Sequence, residues 1–357
     1  MSERRIIGCM TGTSLDGLDA ALVSVSGEGL DLKARVLKTA SRPLGPLAGP
    51  LRDLAEQKRQ PVRKVSRLGR ELAQVHVALL EELVPEGGVD AIAVHGQTVY
   101  HDPPLSLQLI NPHLIAQQTQ SPVVFDLRGA DLAVGGQGAP ITPLADYLLF
   151  RDEHETRAVV NLGGFCNYTL LPPGGIEQIG GGDVCACNQL LDALAQRLFG
   201  RPYDEGGALA LAGVVEEAPY EALISTLTAQ AEEDRSLGTG DELSDWCDRS
   251  GAKSPGENLA RTACAGIAHA IARAVRGVDR VILAGGGTRN EALLKETAQR
   301  VEAVVCLCET LGYASTYREA IAMAVLGALC ADRVPITLPQ ITGCPSPAPV
   351  AGCWIHP

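Results

Sequence analysis

The sequence has no surplus of basic charge: 30 Lys and Arg stand against 42 Asp and Glu in 357 residues, for a net charge of -12. Binding a nucleic-acid backbone needs basic surface, so a nucleic-acid partner is not expected. A nucleotide stays admissible, because a local nest of N–H groups can hold phosphate inside an acidic protein. Long apolar runs are also missing. The longest, Ala320 to Cys330, is about half the length that a membrane helix needs. The opening Met1-Ser2-Glu3-Arg4-Arg5 leads into only a few apolar residues before Gly8, too few for a secretory h-region. No Gly-x-x-x-x-Gly-Lys-Ser/Thr occurs, and no Gly-x-Gly-x-x-Gly follows the first strand, which sets aside Walker-type nucleotide binding and dinucleotide oxidoreductases. The two Cys-x-Cys pairs, Cys185/Cys187 and Cys306/Cys308, lack the wider spacing and the histidine pair of a zinc site. Eleven cysteines, an odd number, read as reduced core thiols, with the cytoplasm as the expected compartment.

What is present is a globular composition, 46% apolar and 20% charged, in a chain long enough for two domains. Strands are expected at Arg5–Met10, Ala20–Val25 and around Lys33–Lys38, the first two joined as a hairpin by a polar glycine loop. Helical spacing runs from Pro61 to Leu83, with Val65, Leu68, Leu72, Val75 and Leu79 on one face. A buried strand, Val89–Val94, ends at His95-Gly96-Gln97-Thr98; a helix at Asn111–Thr119 and a strand at Pro122–Phe125 follow. The theme of strand, glycine turn and strand returns at Ala158–Leu162, Gly163-Gly164 and Phe165–Leu170. This return suggests a duplicated α/β unit. Helices are then expected at Asn188–Phe199, Ala218–Glu232, Asn258–Val275 and Tyr317–Ala331, with a strand at Arg280–Ala284 before Gly285-Gly286-Gly287. The division expected is an N-terminal α/β domain over 1–131, a nucleotide-binding domain over 132–335, and a tail, 336–357, packed back on the first.

Three constellations carry chemistry. In Thr11-Gly12-Thr13-Ser14-Leu15-Asp16-Gly17, hydroxyls and backbone N–H groups suit a phosphate chain, with Asp16 and Asp19 within reach of Mg²⁺. The same loop also reads as an ordinary hairpin turn. Gly285-Gly286-Gly287 ends a buried strand and precedes a helix near Asn290, a place where a base or ribose can pack on bare backbone. Asp183, in Gly180-Gly181-Gly182-Asp183 just before a helix, is either a general base with open space around it or a helix N-cap. Thr98 and Gln108 flank a strand end, where α/β proteins place ligand contacts. His95 reads as a structural histidine. Arg128 is either a carboxylate clamp or an internal ion pair with Asp126 and Asp131. Glu319 reads as the solvated first turn of the last helix.

Taken together, Met10 through Asp19, His95-Gly96-Gln97-Thr98, Gly135 through Pro140, Asn161-Leu162-Gly163-Gly164, Tyr203 through Ala208, Gly285 through Asn290 and Glu319-Ala320 resemble the anhydro-N-acetylmuramic acid kinases over nearly the whole chain. The resemblance implies the actin-like ATPase fold, a duplicated ribonuclease H-like α/β unit whose two domains close a cleft over ATP and Mg²⁺. It implies a kinase that opens the 1,6-anhydro bridge with water and phosphorylates the freed 6-hydroxyl. Asp183 would activate the water. Gly12, Thr13 and Ser14 would touch phosphates, with Asp16 at the metal, and Gly163, Gly164, Gly285, Gly286, Gly287 and Asn290 would complete the ATP contacts. Thr98, Gln108, Arg128 and Glu319 would line the sugar pocket. The pattern departs where the family reads Asp-Thr-Gly-Pro-Gly-Asn and this chain reads Asp183-Val184-Cys185-Ala186-Cys187-Asn188; the two cysteines would narrow the phosphate path or reshape the sugar site. Asp146 replaces the family's histidine three residues after Pro143. Another anhydro sugar such as levoglucosan, or a non-catalytic sensor, are the alternatives, and a homodimer is the base-rate expectation.

Overall fold

The computed structural model describes residues 3–12, 15, 17–232, 243–251 and 254–357. The chain opens with β1 (Arg4–Thr11), β2 (Gly17–Ser26), β3 (Lys33–Pro43), α1 (Ala48–Ala55), α2 (Val62–Leu80), β4 (Ala91–Val94), β5 (Gln97–Asp102) and β6 (Leu105–Leu109). It continues through α3 (Pro112–Thr119), β7 (Val123–Phe125), α4 (Gly129–Ala133), α5 (Pro143–Phe150), β8 (Arg157–Leu162), β9 (Phe165–Leu171) and β10 (Gly180–Ala186). Then come α6 (Asn188–Phe199), α7 (Ala208–Ala212), α8 (Glu217–Glu232), α9 (Ser244–Gly251), α10 (Gly256–Ala274), β11 (Arg280–Ala284), α11 (Glu291–Arg300) and β12 (Val304–Leu307). Last are α12 (Arg318–Ala331), α13 (Pro339–Thr342) and β13 (Cys353–Ile355).

Two compact units result. One holds Met1–Arg151, Gly175–Ile179 and Tyr317–Pro357; the other holds Asp152–Gly174 and Gly180–Thr316. The first has a sheet of order β13-β7-β4-β1-β2-β3. Its β1, β2 and β3 are antiparallel neighbours, whereas β4 runs parallel to β1 and β7 parallel to β4. Period-two alternation divides β1 between two layers. Ile7 and Cys9 join a core with Ala73 and Val77 of α2 and Ile115 of α3. On the other face α12 lies across β1, β2 and β4, so close that a Cβ on Gly8 would stand 2.0 Å from the Ala320 carbonyl oxygen. Only glycine permits that approach. Ile321, Met323, Val325, Leu326 and Leu329 of α12 are wholly buried, and at roughly 2 kcal/mol each they contribute on the order of 10 kcal/mol.

The second unit has a sheet of order β10-β9-β8-β11-β12. β8, β9 and β10 are antiparallel neighbours, and β11 and β12 run parallel to β8. Val160, Leu162, Val281 and Leu283 of the sheet pack with Leu190 and Leu194 of α6 and with Leu259, Ile267 and Ile271 of α10. The run β3-β2-β1-β4-β7 in one unit therefore has the same pairing directions as β10-β9-β8-β11-β12 in the other. One α/β unit thus occurs twice, as the repeated strand–turn–strand theme led us to expect, and its strand order is that of the ribonuclease H-like unit that the family resemblance implies.

The division falls elsewhere than the one at residues 131 and 335. The stretches 132–151 and 317–335 belong to the first unit, because α12 has no polar face and α5 packs against it. The tail ends in β13, antiparallel to β7. Among the described residues no helix is long and apolar enough to cross a membrane. All eleven cysteines are free, and only Cys306 and Cys353 are not buried.

Candidate active site

In the first unit, the sequence motif after β4 becomes a polar wall. His95 is 4% exposed and sits between two partners. Its Nδ1 bonds the Gly96 carbonyl oxygen at 2.9 Å, and its Nε2 accepts from Arg128 Nε at 3.0 Å. That pattern requires the tautomer protonated at Nδ1. Burial, with Arg128 beside it, pushes the His95 pKa down to about 3, so the ring is neutral. Arg128 Nη1 donates to the Gly138 carbonyl oxygen at 2.6 Å. Burial lowers the Arg128 pKa to about 10, and Glu319 opposes the shift.

The ion-pair alternative for Arg128 finds no support among the described residues. Asp126 Oδ1 accepts from the Gly129 N–H, while Asp131 accepts from the Gly138 N–H and from Thr342 Oγ1. Glu319 is half-buried rather than solvated. Burial raises its pKa against the pull of Arg318; Asp146 adds to the rise and Arg128 opposes it. Thr98 and Gln108 face one another across the β5–β6 hairpin, and Gln108 Nε2 bonds Ser106 Oγ at 2.8 Å. The hairpin went unread in the sequence because only the motif at its start stands out.

Thr13, Ser14 and Asp16 lie outside the described residues. Of the same loop, Thr11 Oγ1 donates to the Gly96 carbonyl oxygen at 3.0 Å. Leu15, at φ 58°, is 3% exposed and enters the core with Leu44, Leu51 and Leu68. A left-handed leucine costs roughly 1–2 kcal/mol, which its burial offsets.

The second unit brings the other glycine turns together. The Gly163 carbonyl accepts from the Asn188 N–H at 3.0 Å, and that of Gly164 accepts from the Cys187 N–H at 2.9 Å, so the turn closes on the start of α6. Asn188 Nδ2 donates to the Leu162 carbonyl at 3.0 Å. Gly285 adopts φ +87°, and a Cβ there would lie 2.7 Å from Asn161 Oδ1. A Cβ on Gly287 would lie 2.7 Å from Leu162 Cβ and 3.0 Å from Asn188 Oδ1. Gly286 is exposed, and nothing nearer than Asn188 Nδ2 at 3.9 Å would meet a Cβ on it. Behind the triplet, Ser315 accepts the Gly285 N–H at 3.1 Å and is itself held by Glu309. The sequence offered no sign of that brace, since Glu309 and Ser315 belong to no motif. Asn290 is 8% exposed and its Oδ1 caps α11 through the Leu293 N–H.

Asp183 is not a helix cap. It lies in β10 opposite Asn167, at a bulge before Cys185, and α6 is capped by Cys187 without a side-chain bond. The glycines before it form edge strand rather than open turn, for a Cβ on Gly181 would stand 2.5 Å from the Tyr168 carbonyl. Asp183 is half-buried and lines a cavity of about 190 Å³ with Tyr168, His269 and Arg273. Cys185 and Cys187 do not narrow a phosphate path. Both are 0% exposed and belong to the apolar core, and burial pushes the Cys185 thiol up to about 12.

A family model described as anhydro-N-acetylmuramic acid kinase matches residues 4–354. A protein of that name from Salinibacter ruber is 35% identical, the match covering 98% of this chain and 96% of that protein. Another from Bordetella petrii is 36% identical over 96% of this chain and 94% of that protein. Among solved structures, the ADPNP-bound activator of 2-hydroxyisocaproyl-CoA dehydratase from Clostridium difficile overlaps 92% of this chain and 95% of its own, with 12% identity and a TM-score of 0.44.

Proposed function

The chain belongs to the anhydro-N-acetylmuramic acid kinase family, and from that premise we propose that it converts 1,6-anhydro-N-acetylmuramic acid and ATP to N-acetylmuramic acid 6-phosphate and ADP. The observation that carries the reading is the convergence of Gly163-Gly164 and Gly285-Gly287 on Asn188 at the start of α6, in the unit that also holds Asp183. Bare backbone at two turns beside a helix N-terminus suits a nucleotide and its phosphates. Gln189 Oε1, buried without a donor among the described residues and next to Gly164, is an acceptor that a bound nucleotide can satisfy.

In this reading Asp183 takes a proton from water as the water oxygen bonds to C1 of the sugar. The C1–O6 bond breaks, and O6 bonds to the γ-phosphorus as ADP leaves. Phosphoryl transfer of this kind depends on positioning and charge neutralisation rather than on a covalent enzyme intermediate. Mg²⁺ would neutralise phosphate charge. Such an ion takes one carboxylate, waters and substrate phosphates; Asp16 is the carboxylate assigned here.

Arg128 has two donor groups committed to His95 and Gly138, and its remaining guanidinium N–H groups are assigned to the lactyl carboxylate of the muramic sugar. Thr98, Gln108 and Glu319 are assigned to sugar hydroxyls. The reaction belongs to the cytoplasm, where ATP is found, and returns a cell-wall sugar to metabolism. ADP release measured over a panel of anhydro and ordinary sugars tests the reading. Turnover confined to the muramic compound is expected. Preference for levoglucosan would overturn the substrate, and silence with nucleotide bound would overturn the activity.

A further inference from the structure

One buried pair of charges in the first unit takes no part in that reading. Asp146 on α5 and Arg318 on α12 have side chains 0% and 2% exposed. Arg318 Nε donates to Asp146 Oδ1 at 2.9 Å, and its Nη2 donates to Oδ2, a planar two-point contact that lysine cannot reproduce. Taking two charges out of water costs several kcal/mol per ion, and an apolar pair of similar volume would often serve the fold as well. Their neighbours on α12 are Ala320, Ile321, Ala322 and Met323, all buried, so an apolar pair would suit the surroundings.

The residue that follows Arg318 is Glu319. Consecutive helical positions point about 100° apart, so Arg318, held on Asp146 of α5, and Glu319 leave α12 in different directions. Without Asp146 the buried guanidinium would lose this two-point contact, and Glu319 is the carboxylate beside it in the chain.

We propose that Asp146 and Arg318 are positioning residues for Glu319: clamping Arg318 to α5 leaves Glu319 to hydrogen-bond the sugar instead of pairing with its neighbour. The inference rests on the assignment of Glu319 to the sugar. The charged groups around Glu319 are Arg318, Asp146 on α5 and Arg128 at the start of α4. Of the elements under α12, β4 has no ionisable residue. β2 has only Asp19, and β1 has Arg5, the thiol of Cys9 on the opposite face, and Arg4, which is bonded to Asp332 at the far end of α12. Asp31 stands two residues after Gly29, whose N–H also bonds Asp332. On α5 the other titratable group is Tyr147.

The test follows the Glu319 carboxyl by ¹³C NMR in glutamate-labelled protein, with the resonance assigned from Glu319→Gln. Asp146→Asn is expected to lower its midpoint by about one pH unit, since loss of the aspartate charge and the turning of the released guanidinium act in the same direction. Arg318→Met is expected to raise the midpoint by about as much. The double variant Asp146→Leu/Arg318→Met keeps the volume apolar and is expected to titrate between the two. Asp146→Asn should also raise the sugar KM about tenfold with the ATP KM unchanged. Identical titration in all variants, or sugar and ATP KM rising together, would show a structural role only and overturn the proposal. If Asp146→Asn does not fold, the double variant still decides it. With no guanidinium to compete for Glu319 it should keep the wild-type sugar KM, and a sugar KM raised about tenfold would overturn the proposal. The titration needs no turnover, so a wild-type protein that phosphorylates no sugar would sink the proposed function while the pair is judged separately.

Discussion

Replacing Gly286 and, separately, Gly287 by alanine tests the nucleotide cradle while holding the chemistry of the change constant. A Cβ on Gly287 would stand 2.7 Å from Leu162 Cβ, 3.0 Å from the Leu162 carbonyl oxygen and 3.0 Å from Asn188 Oδ1. One of those atoms is backbone in a fully buried strand residue, so the contact is relieved by moving the turn. Overpacking of that kind costs roughly 1–3 kcal/mol, which in a unit of this size lowers the melting temperature by about 2–12 °C. On Gly286 the same methyl meets only Asn188 Nδ2 at 3.9 Å, and an exposed change of that sort stays within about 0.5 kcal/mol. If the nucleotide packs on bare backbone at 286, this second variant should keep its melting temperature and lose about tenfold or more in ATP affinity, equivalent to about 1.4 kcal/mol. Calorimetric titration with a non-hydrolysable ATP analogue, beside thermal melts, measures both quantities. Wild-type affinity in Gly286→Ala would refute the placement of the nucleotide at this turn. An unchanged melt in Gly287→Ala would refute the packing argument.

Asp183→Asn should abolish ADP release with sugar while analogue binding stays within about threefold of wild type, since Asp183 belongs to β10 and not to the glycine turns; wild-type turnover would remove it from the role of base. His95→Phe strips Arg128 Nε of its acceptor and should cost about 1–3 kcal/mol with a raised sugar KM. His95→Gln, which can accept, should recover part of both, and equal loss in the two variants would argue against the hydrogen bond. His76 is wholly buried, and burial holds its pKa at about 4 against 6.5 in the unfolded chain. Its folded form resists protonation, so its contribution is intact above pH 6.5 and is lost as pH falls toward 4, by roughly 3 kcal/mol. Urea midpoints measured between pH 7 and 4 should fall more steeply in wild type than in His76→Gln, and parallel curves would contradict the assignment.

The fold was legible in the sequence wherever one face of an element is paired with a repeated neighbour. β1 and β8 are apolar runs ending in glycine-bearing loops, and both strands are covered on two sides, which leaves a continuous hydrophobic signal. β10 and the β5–β6 hairpin were illegible for the opposite reason. β10 is an edge strand that begins with three glycines, and these have no side chain from which a period could be read. For Gly181 the reason for glycine lies in another segment, in the Tyr168 carbonyl that a Cβ would meet at 2.5 Å. The division of the chain was hidden likewise. The destination of α12 is decided by Gly8, about three hundred positions away, whose missing side chain lets the helix backbone rest on β1.

The site followed the same rule. Glycine turns and the His95-Gly96-Gln97-Thr98 motif could be named from the sequence because their residue types are unusual in themselves. What each polar side chain does depends on partners that spacing does not reveal. Asn290 resembles a ligand contact in sequence and serves as a cap in the structure. Glu319 reads as a solvated first turn and is half-buried beside three charged neighbours. Cys185 and Cys187 occupy positions where the family has glycine, and the natural inference was obstruction of the site. The bulge between Asp183 and Cys185 changes that, because an extra residue in one strand reverses which face the following side chains meet. Asp183 is left half-exposed at a cavity while both thiols turn into the core. The cysteines that follow Asp183 are therefore absorbed by packing behind it. The departure with the most direct route to Glu319 is Asp146, which is wholly buried and bound to the residue preceding that glutamate.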